Sequence, residues 1–236
     1  MEDLYKEYAR IYDIIYFKES LYRKEVNFIE SIGGGEQMEI LDLCGGTGSH
    51  ANMLINDGHR VTIVDRSIDM LKVARQKNHQ IKTILSDIFE YDFDINYDMI
   101  ICMYGAIHYT NDLQQIQKLI GRMRHHLKAG GKVLFDLRFS DNLPENNGLE
   151  KNNGWWNRKF WKRKKGVDSS DIYVVTAFNQ EEHFLDVHNL YYCDPFLYQD
   201  MFRKAGFKNV SLFDGYTDIP FDPANGGNIV VLIASC

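Results

Sequence analysis

The sequence predicts an α/β fold, a mostly parallel sheet with helices on both faces, interrupted late in the chain by a β-rich antiparallel excursion. Three observations predict it. Between residues 38 and 138, short apolar runs alternate with amphipathic runs at intervals of about 10–20 residues. A glycine cluster, Gly45, Gly46 and Gly48, separates the first apolar run from the helix that follows. From 155 to 191, aromatic and β-branched residues recur without helical spacing. Strands that alternate with helices return by crossovers, so they lie parallel and are covered on both faces.

The elements follow in order. Tyr5, Tyr8, Tyr12 and Tyr16 fall on one helical stripe. Residues 20–32 form a helix with Ser20 as its cap, stopped by Gly33-Gly34-Gly35. MEILDLC (38–44) is a strand, and 49–57 a helix with Gly58 at its C-terminal stop. The unit repeats: strand 60–65, helix 67–78 capped by Ser67, strand 81–87, strand 97–103. A long helix, 112–128, is capped by Asn111 or Asp112 and broken by Gly130-Gly131 before strand 132–138. Residues 141–154 are polar and turn-rich. Segments 155–164, 171–178 and 182–191 read as antiparallel strands. Asp194-Pro195 then opens helix 195–206, because Asp caps well and Pro is tolerated at the first helical position. Strands 208–215 and 228–236 close the chain. With a turn-rich loop and no helix between them, they run antiparallel to each other.

The chain has 236 residues, which suits a single domain (1–236) with 138–193 as an excursion inside it. Lys and Arg number 27 against 33 Asp and Glu, a net charge of −6, which excludes a polycationic nucleic-acid coat protein. Hydrophobic residues at 44% supply a full core. No apolar run approaches the ~18 residues of a membrane span, and MEDLYKEYAR lacks the features of a signal peptide. Cys44, Cys102, Cys193 and Cys236 are far apart, with no CxxC pair. Free thiols in a reducing cytoplasm, and no structural metal, are the expectation.

The chemistry concentrates at the glycine cluster. Glycines between a strand and a helix let a ligand approach the backbone, and the helix N-terminus offers free N–H groups. Asp65 ends the second strand, 17 residues after Gly48, where a carboxylate can accept hydrogen bonds from both ribose hydroxyls. Asp87, at the end of the third strand, can take the exocyclic amine of adenine. Gly46-Thr47-Gly48-Ser49-His50-Ala51 also fits the G-x-G-x-x-A form of a dinucleotide fingerprint, so a nicotinamide-dependent oxidoreductase is a competing reading. Asp42 ahead of the glycines, the helix before the first strand and the antiparallel last pair oppose it.

Five motifs in order carry a resemblance: Glu39-Ile40-Leu41-Asp42-Leu43-Cys44-Gly45-Gly46-Thr47-Gly48, Val64-Asp65, Ser86-Asp87-Ile88, the run from Tyr97 to Cys102 and the run from Leu127 to Val133. The chain resembles the class I S-adenosylmethionine-dependent methyltransferases over roughly residues 36–137 and the last helix and strand pair. Cys44 stands where the family often has its first glycine. The resemblance implies a Rossmann-like, seven-stranded, mostly parallel sheet with the last strand antiparallel. It implies S-adenosyl-L-methionine as cofactor, S-adenosyl-L-homocysteine as product, and cofactor contacts from Tyr12, Asp42, Cys44, Gly45, Gly46, Gly48, Asp65, Arg66, Met70, Asp87, Ile88 and Met103. Asp42 reads equally well as an acid that satisfies the backbone inside the fold.

A narrower resemblance starts from Tyr8-Ala9-Arg10-Ile11-Tyr12-Asp13-Ile14-Ile15-Tyr16. It is similar to the start of small-molecule enzymes that include glycine N-methyltransferase-like proteins and nucleotide-linked amino-sugar N-methyltransferases. That likeness implies a small-molecule acceptor, an amine such as an amino sugar, with 138–193 roofing its pocket. Residues 102–109 resemble the segment that faces the acceptor in those enzymes, so Tyr104, His108 and Tyr109 are the catalytic candidates. His108 and Tyr109 are adjacent, and which one points inward stays open. Should neither act, Tyr8, Tyr12 and the roof around Trp155 and His188 come next. O-methylation is the runner-up, and a catalytically idle cofactor-binding protein remains a third reading. The stretch from Trp155 to Lys165 mixes aromatic and basic residues; a solvated strand face is favoured over nucleic-acid binding, with contact to a nucleotide-linked substrate between the two. No membrane partner is expected, and the sequence leaves monomer and homodimer open.

Overall fold

Strand β1 (Glu39–Leu43) lies deep in a seven-stranded sheet, between β2 (Arg60–Asp65) and β4 (Tyr97–Cys102), and is parallel to both. The computed structural model describes residues 5, 8–34, 37–92, 95–138, 150–152, 155–163, 169–178 and 182–236, with side chains described outside 150–187. Beyond β2 lies β3 (Lys82–Leu85). On the other side β4 pairs with β5 (Leu127–Arg138). After a second sheet, formed by β6 (Glu150–Asn152), β7 (Trp155–Arg163), β8 (Ser169–Phe178) and β9 (Glu182–Tyr191), the chain returns to the first with β10 (Asn209–Asp214) and β11 (Ile229–Ser235). The main order is β10-β11-β5-β4-β1-β2-β3, and β11 is antiparallel to both of its neighbours. The second sheet is a four-stranded antiparallel meander.

Six helices accompany the described strands: α1 (Ala9–Tyr16), α2 (Glu19–Gly33), α3 (Ser49–Asn56), α4 (Ile68–Lys77), α5 (Leu113–His125) and α6 (Pro195–Lys204). One core layer packs Val26 and Ile29 of α2, Leu54 of α3 and Leu71 of α4 against Ile40 and Ile63. The other packs Ile116, Ile120 and Met123 of α5 and Phe202 of α6 against Ile100, Val133 and Phe135. These side chains are fully or nearly fully buried, so both faces of the parallel strands read as apolar, as β1 and β4 do in sequence. A third cluster joins Tyr8, the N-cap of α1, and Ile11 and Ile15 of that helix to Leu190 and Tyr192, where β9 leads back to the main fold.

The expected caps sort by geometry. Asp112 accepts the N–H groups of Gln114 and Gln115 at 3.0 Å each, and Asp194 accepts that of Phe196 at 2.9 Å. Ser20 does not cap α2: the helix starts at Glu19, and its N-cap, Lys18, makes no side-chain cap. The α5–β5 junction also differs from expectation. The helix ends at His125 and the strand already begins at Leu127, because Tyr97 N–H bonds His126 O at 2.8 Å and Leu127 pairs with Tyr97. Gly130, with φ +76°, lies in this stretch, where the register shifts between Tyr97 and Met99. β6 falls in the polar stretch 141–154, of which residues 141–149, 153 and 154 lie outside the described residues. Tyr5 is not part of the α1 stripe: it precedes the helix, with φ +78°. No described helix is long and apolar enough to cross a membrane, and none of the four cysteines is in a disulfide.

Candidate functional site

The carboxyl ends of β1, β2, β3 and β4 meet where the crossover direction reverses, the place at which open α/β sheets form a crevice. A cavity of about 300 Å³ lies there. Asp65 closes β2 and ties its two flanking loops together. Its Oδ2 accepts Gly46 N–H at 3.0 Å and its Oδ1 accepts Ser67 N–H at 2.8 Å. Burial pushes its carboxyl above the usual range, against the lowering pull of those N–H groups. Arg66 N–H adds a third backbone hydrogen bond, and Asp65 lines the cavity. Asp87 lines the same wall, its Oδ1 accepting Phe89 N–H at 2.9 Å, with Ile88 beside it.

Asp42 forms the floor and is 1% exposed. Its Oδ2 receives no hydrogen bond, and burial raises its pKa from 3.8 to about 7, with His50 pulling down and Asp65 pushing up. Gly45 is glycine because of this carboxylate: a Cβ there would fall 2.6 Å from Asp42 Oδ2. Cys44 takes a left-handed φ of +61°, a conformation that favours glycine and that costs about 1 kcal/mol in other residues. Its thiol is held above the ordinary range by a hydrogen bond with Cys102 and by burial.

Of the residues expected at the site, Tyr12, Asp42, Cys44, Gly45, Gly46, Asp65, Arg66, Met70, Asp87, Ile88, Met103, Tyr104 and Tyr109 line the cavity. Gly48 and His108 do not. A Cβ on Gly48, whose φ is +71°, would fall 3.0 Å from Ala74 Cβ and 3.1 Å from Ile63 Cδ1, so this glycine lets α4 pack against the loop rather than admitting a ligand. His108 is fully buried in a 3-10 turn, Ala106–Tyr109. Its Nε2 accepts Arg138 N–H at 2.8 Å, so its Nδ1 carries the hydrogen and donates to Tyr191 O at 2.9 Å. Burial, with Arg138 nearby, lowers its pKa from 6.5 to about 4. Both ring nitrogens are committed to backbone, and the imidazole joins the ends of β5 and β9. Tyr109 is the member of the adjacent pair that faces the cavity. Its hydroxyl lies 2.6 Å from Tyr5 Oη and 2.6 Å from His188 Nδ1.

The motifs gave no sign of a further group. Glu25 of α2, 1% exposed, lies 2.7 Å from His50 Nε2 and accepts the Tyr104 hydroxyl at 3.2 Å. The rings of Tyr22, His50 and Tyr104 pack together at 4.6–5.5 Å, and all three line the cavity. Burial holds the Tyr12, Tyr22 and Tyr104 phenols far above their ordinary pKa, so they stay neutral. From above, α1 is pinned to the glycine loop: Asp13 Oδ1 accepts Thr47 Oγ1 at 2.6 Å and Ser49 Oγ at 3.1 Å, while Oδ2 pairs with Lys77 at 2.7 Å.

Residues 40–131 match the family described as methyltransferase domain. The putative methyltransferase YqeM of Bacillus subtilis is 31% identical over 149 residues, which is 60% of this chain and 58% of that protein. This chain therefore spans less than two thirds of that relative. A structure of an S-adenosylmethionine-dependent methyltransferase from Clostridium acetobutylicum shares the fold, with a TM-score of 0.82, 20% identity and 98% of each chain covered. So does CalS10, an amino pentose methyltransferase from Micromonospora echinaspora, at 0.73, 18% identity and coverage of 100% of this chain and 99% of that one. The family match decides against the dinucleotide reading of Gly46 to Ala51, as does the packing role of Gly48.

Two outcomes follow from the buried groups. Because the folded pKa of Asp42 is raised, the native state holds a proton that the unfolded chain releases between about pH 4 and about pH 7. Asp42 therefore costs stability progressively as pH rises through that window. Asp42→Asn should remove this loss. Its melting temperature minus that of wild type should grow from about pH 4 to about pH 7 and then level off. The difference isolates Asp42 from His108, whose lowered pKa acts in the opposite sense. A difference that does not change with pH would reject the assignment. His108→Ala strands Arg138 N–H and Tyr191 C=O, so equilibrium denaturation should show a loss of about 2–4 kcal/mol. A variant as stable as wild type would contradict the structural role.

Proposed function

We propose, from the match of residues 40–131 to a methyltransferase domain, that the chain transfers a methyl group from S-adenosyl-L-methionine to a small-molecule amine, such as a nucleotide-linked amino sugar. The observation that carries this reading is the pair of buried acids on one cavity wall: Asp65 at the end of β2, and Asp42 with an oxygen that receives no hydrogen bond. An adenosine bearing an amino-acid tail meets both demands. Asp65 would accept the ribose hydroxyls. Asp87 and Ile88 would flank the adenine, and Asp42 would face the ammonium of the tail. When bound, the cofactor supplies a methyl group already activated on a sulfonium. The protein's task is then alignment and exclusion of water. Tyr12, Tyr22 and Tyr104 offer neutral aromatic walls that suit a cationic centre, and α1, pinned through Asp13, covers the glycine loop. Tyr109 presents a hydroxyl on the acceptor side. The amino-pentose acceptor of CalS10, a protein of the same fold, supports the amine reading. Methylation of a hydroxyl is the second reading. It is favoured by the imidazole of His188 near the Tyr109 hydroxyl, since a hydroxyl nucleophile needs a base.

We take 138–193 as an excursion that roofs the acceptor side of one domain. Expressed alone it should show no cooperative melt, and a sharp transition would make it a separate domain. Calorimetry tests the cofactor reading directly. S-adenosyl-L-homocysteine should bind at micromolar strength, roughly −8 kcal/mol. Asp65→Ala should weaken it by about 1.5–3 kcal/mol, because two ligand hydroxyls lose their acceptor. Equal affinity of the variant would refute the role of Asp65. Radiolabelled methyl transfer to a nucleotide-linked amino sugar, compared with the same sugar bearing a hydroxyl at that carbon, separates N- from O-methylation.

A further inference from the structure

Arg122 of α5 does not line the cavity, yet its guanidinium closes on the turn that follows β3. Nη1 donates to Tyr91 O at 2.7 Å, and Nη2 donates to Phe89 O at 2.8 Å and to Ile88 O at 3.2 Å. Residues 86–91 belong to no strand or helix, so no ladder supplies donors for these carbonyls. Ile88 and Tyr91 are buried, which leaves little room for water to do so. One planar fork of N–H donors spans all three carbonyls, a geometry that the ammonium of lysine does not copy. The turn is fixed at its start as well. Asp87 O accepts the N–H groups of Glu90 at 3.0 Å and Tyr91 at 2.9 Å, and Ser86 N–H donates to Asp65 O at 3.1 Å. Asp87, Ile88 and Phe89 all line the cavity. An irregular segment that forms a cavity wall is thereby held by a side chain outside the cavity.

We infer that Arg122 is a positioning residue for the base end of the cavity: by fixing the turn that carries Asp87, it makes the site select a purine bearing an exocyclic amine. A carboxylate held against the base gives up water there and needs the amine's N–H in exchange, so a base without that donor leaves it unpaired. A carboxylate on a loose turn keeps its water and discriminates less. The inference rests on the reading of Asp87 at the adenine given above, and it adds the residue that enforces that contact.

The probes are S-adenosyl-L-homocysteine and its analogue with hydrogen in place of the amine at purine carbon 6. Both affinities are measured by calorimetry on wild type and Arg122→Lys, each with a thermal melt, at a temperature where both proteins are folded. Wild type should prefer the amine-bearing probe by about tenfold or more, and Arg122→Lys should cut that preference by about three- to tenfold. A merely structural arginine would lower the melt, or both affinities together, and leave the ratio as it was. Hydrogen exchange of wild type needs no variant: the N–H groups of Phe89, Glu90 and Tyr91 should be protected before any cofactor is added. An unchanged ratio in Arg122→Lys would overturn the proposal, as would a turn that exchanges like unstructured chain until S-adenosyl-L-homocysteine binds. Equal affinity of wild type for the two probes would overturn it too, while leaving the cofactor reading in place. Failure of wild type to bind S-adenosyl-L-homocysteine would instead sink the cofactor reading, and this inference with it.

Discussion

One carboxylate holds the crevice in shape. Asp65 accepts N–H groups from Gly46, in the loop after β1, and from Ser67, at the cap of α4. Those two loops belong to neighbouring βα units and would otherwise be set independently. With both tied to one side chain at the end of β2, the glycine loop, the start of α4 and the cavity wall become a single unit. The arrangement demands burial of an acid, and burial alone disfavours its charge. These backbone donors, together with Arg66 N–H, offset part of that cost. Gly48 completes the unit from below, since any Cβ there would press on Ala74 and Ile63 and push α4 away.

Beneath this unit sits a denser charge problem. Asp42, Glu25 and Asp136 are each 1% exposed. Each is answered differently. Glu25 has His50 and the Tyr104 hydroxyl. Asp136 accepts the Tyr216 hydroxyl at 2.7 Å and Tyr104 N–H at 3.2 Å. Asp42 Oδ2 is left without a donor, and of the three carboxylates only Asp42 lines the cavity. Asp136 Oδ1 likewise receives no hydrogen bond, with Arg138 Nε at 3.8 Å, but the open oxygen of Asp42 is the one whose residue borders the cavity. A buried group that weakens the free protein is then a source of binding energy once a donor arrives.

How much of this was legible in the sequence depends on how local the determinant is. The seven strands, the antiparallel last pair, Asp65, Asp87 and the glycine loop each follow from short patterns: apolar runs, punctuating glycines, an acid at a strand end. The cavity wall from Asp42 to Ile88 was accordingly readable. His108 and Tyr109 were not separable, because adjacent residues in a 3-10 turn diverge by an angle that no pattern encodes. Burial against Tyr191 and Arg138 decided it. Glu25, Tyr22 and His50 were invisible for another reason. They come from α2 and α3 and meet only when both helices pack on β1. Tyr5 looked like helix because spacing cannot report a φ of +78°. β5 began early because pairing to Tyr97, rather than the propensity of its glycines, fixed its start.

The chemistry of the wall follows from keeping most of it neutral. A cationic ligand could be met by acids alone, but every further buried acid would add like-charge repulsion to Asp42 and Asp65. Tyrosine avoids this. Its ring face is electron-rich without carrying charge, and burial holds the phenols of Tyr12, Tyr22 and Tyr104 far above their ordinary range, so none of them ionises near neutrality. The hydroxyls are then free to serve as hydrogen-bond linkers, as Tyr104 does toward Glu25 and Tyr109 toward His188. Formal negative charge on the cavity wall is confined to a few acids fixed by the sheet, while the rest of the lining supplies polarisable surface. Phenylalanine would give the same faces and lose the links. Aspartate would give links and lose the fold.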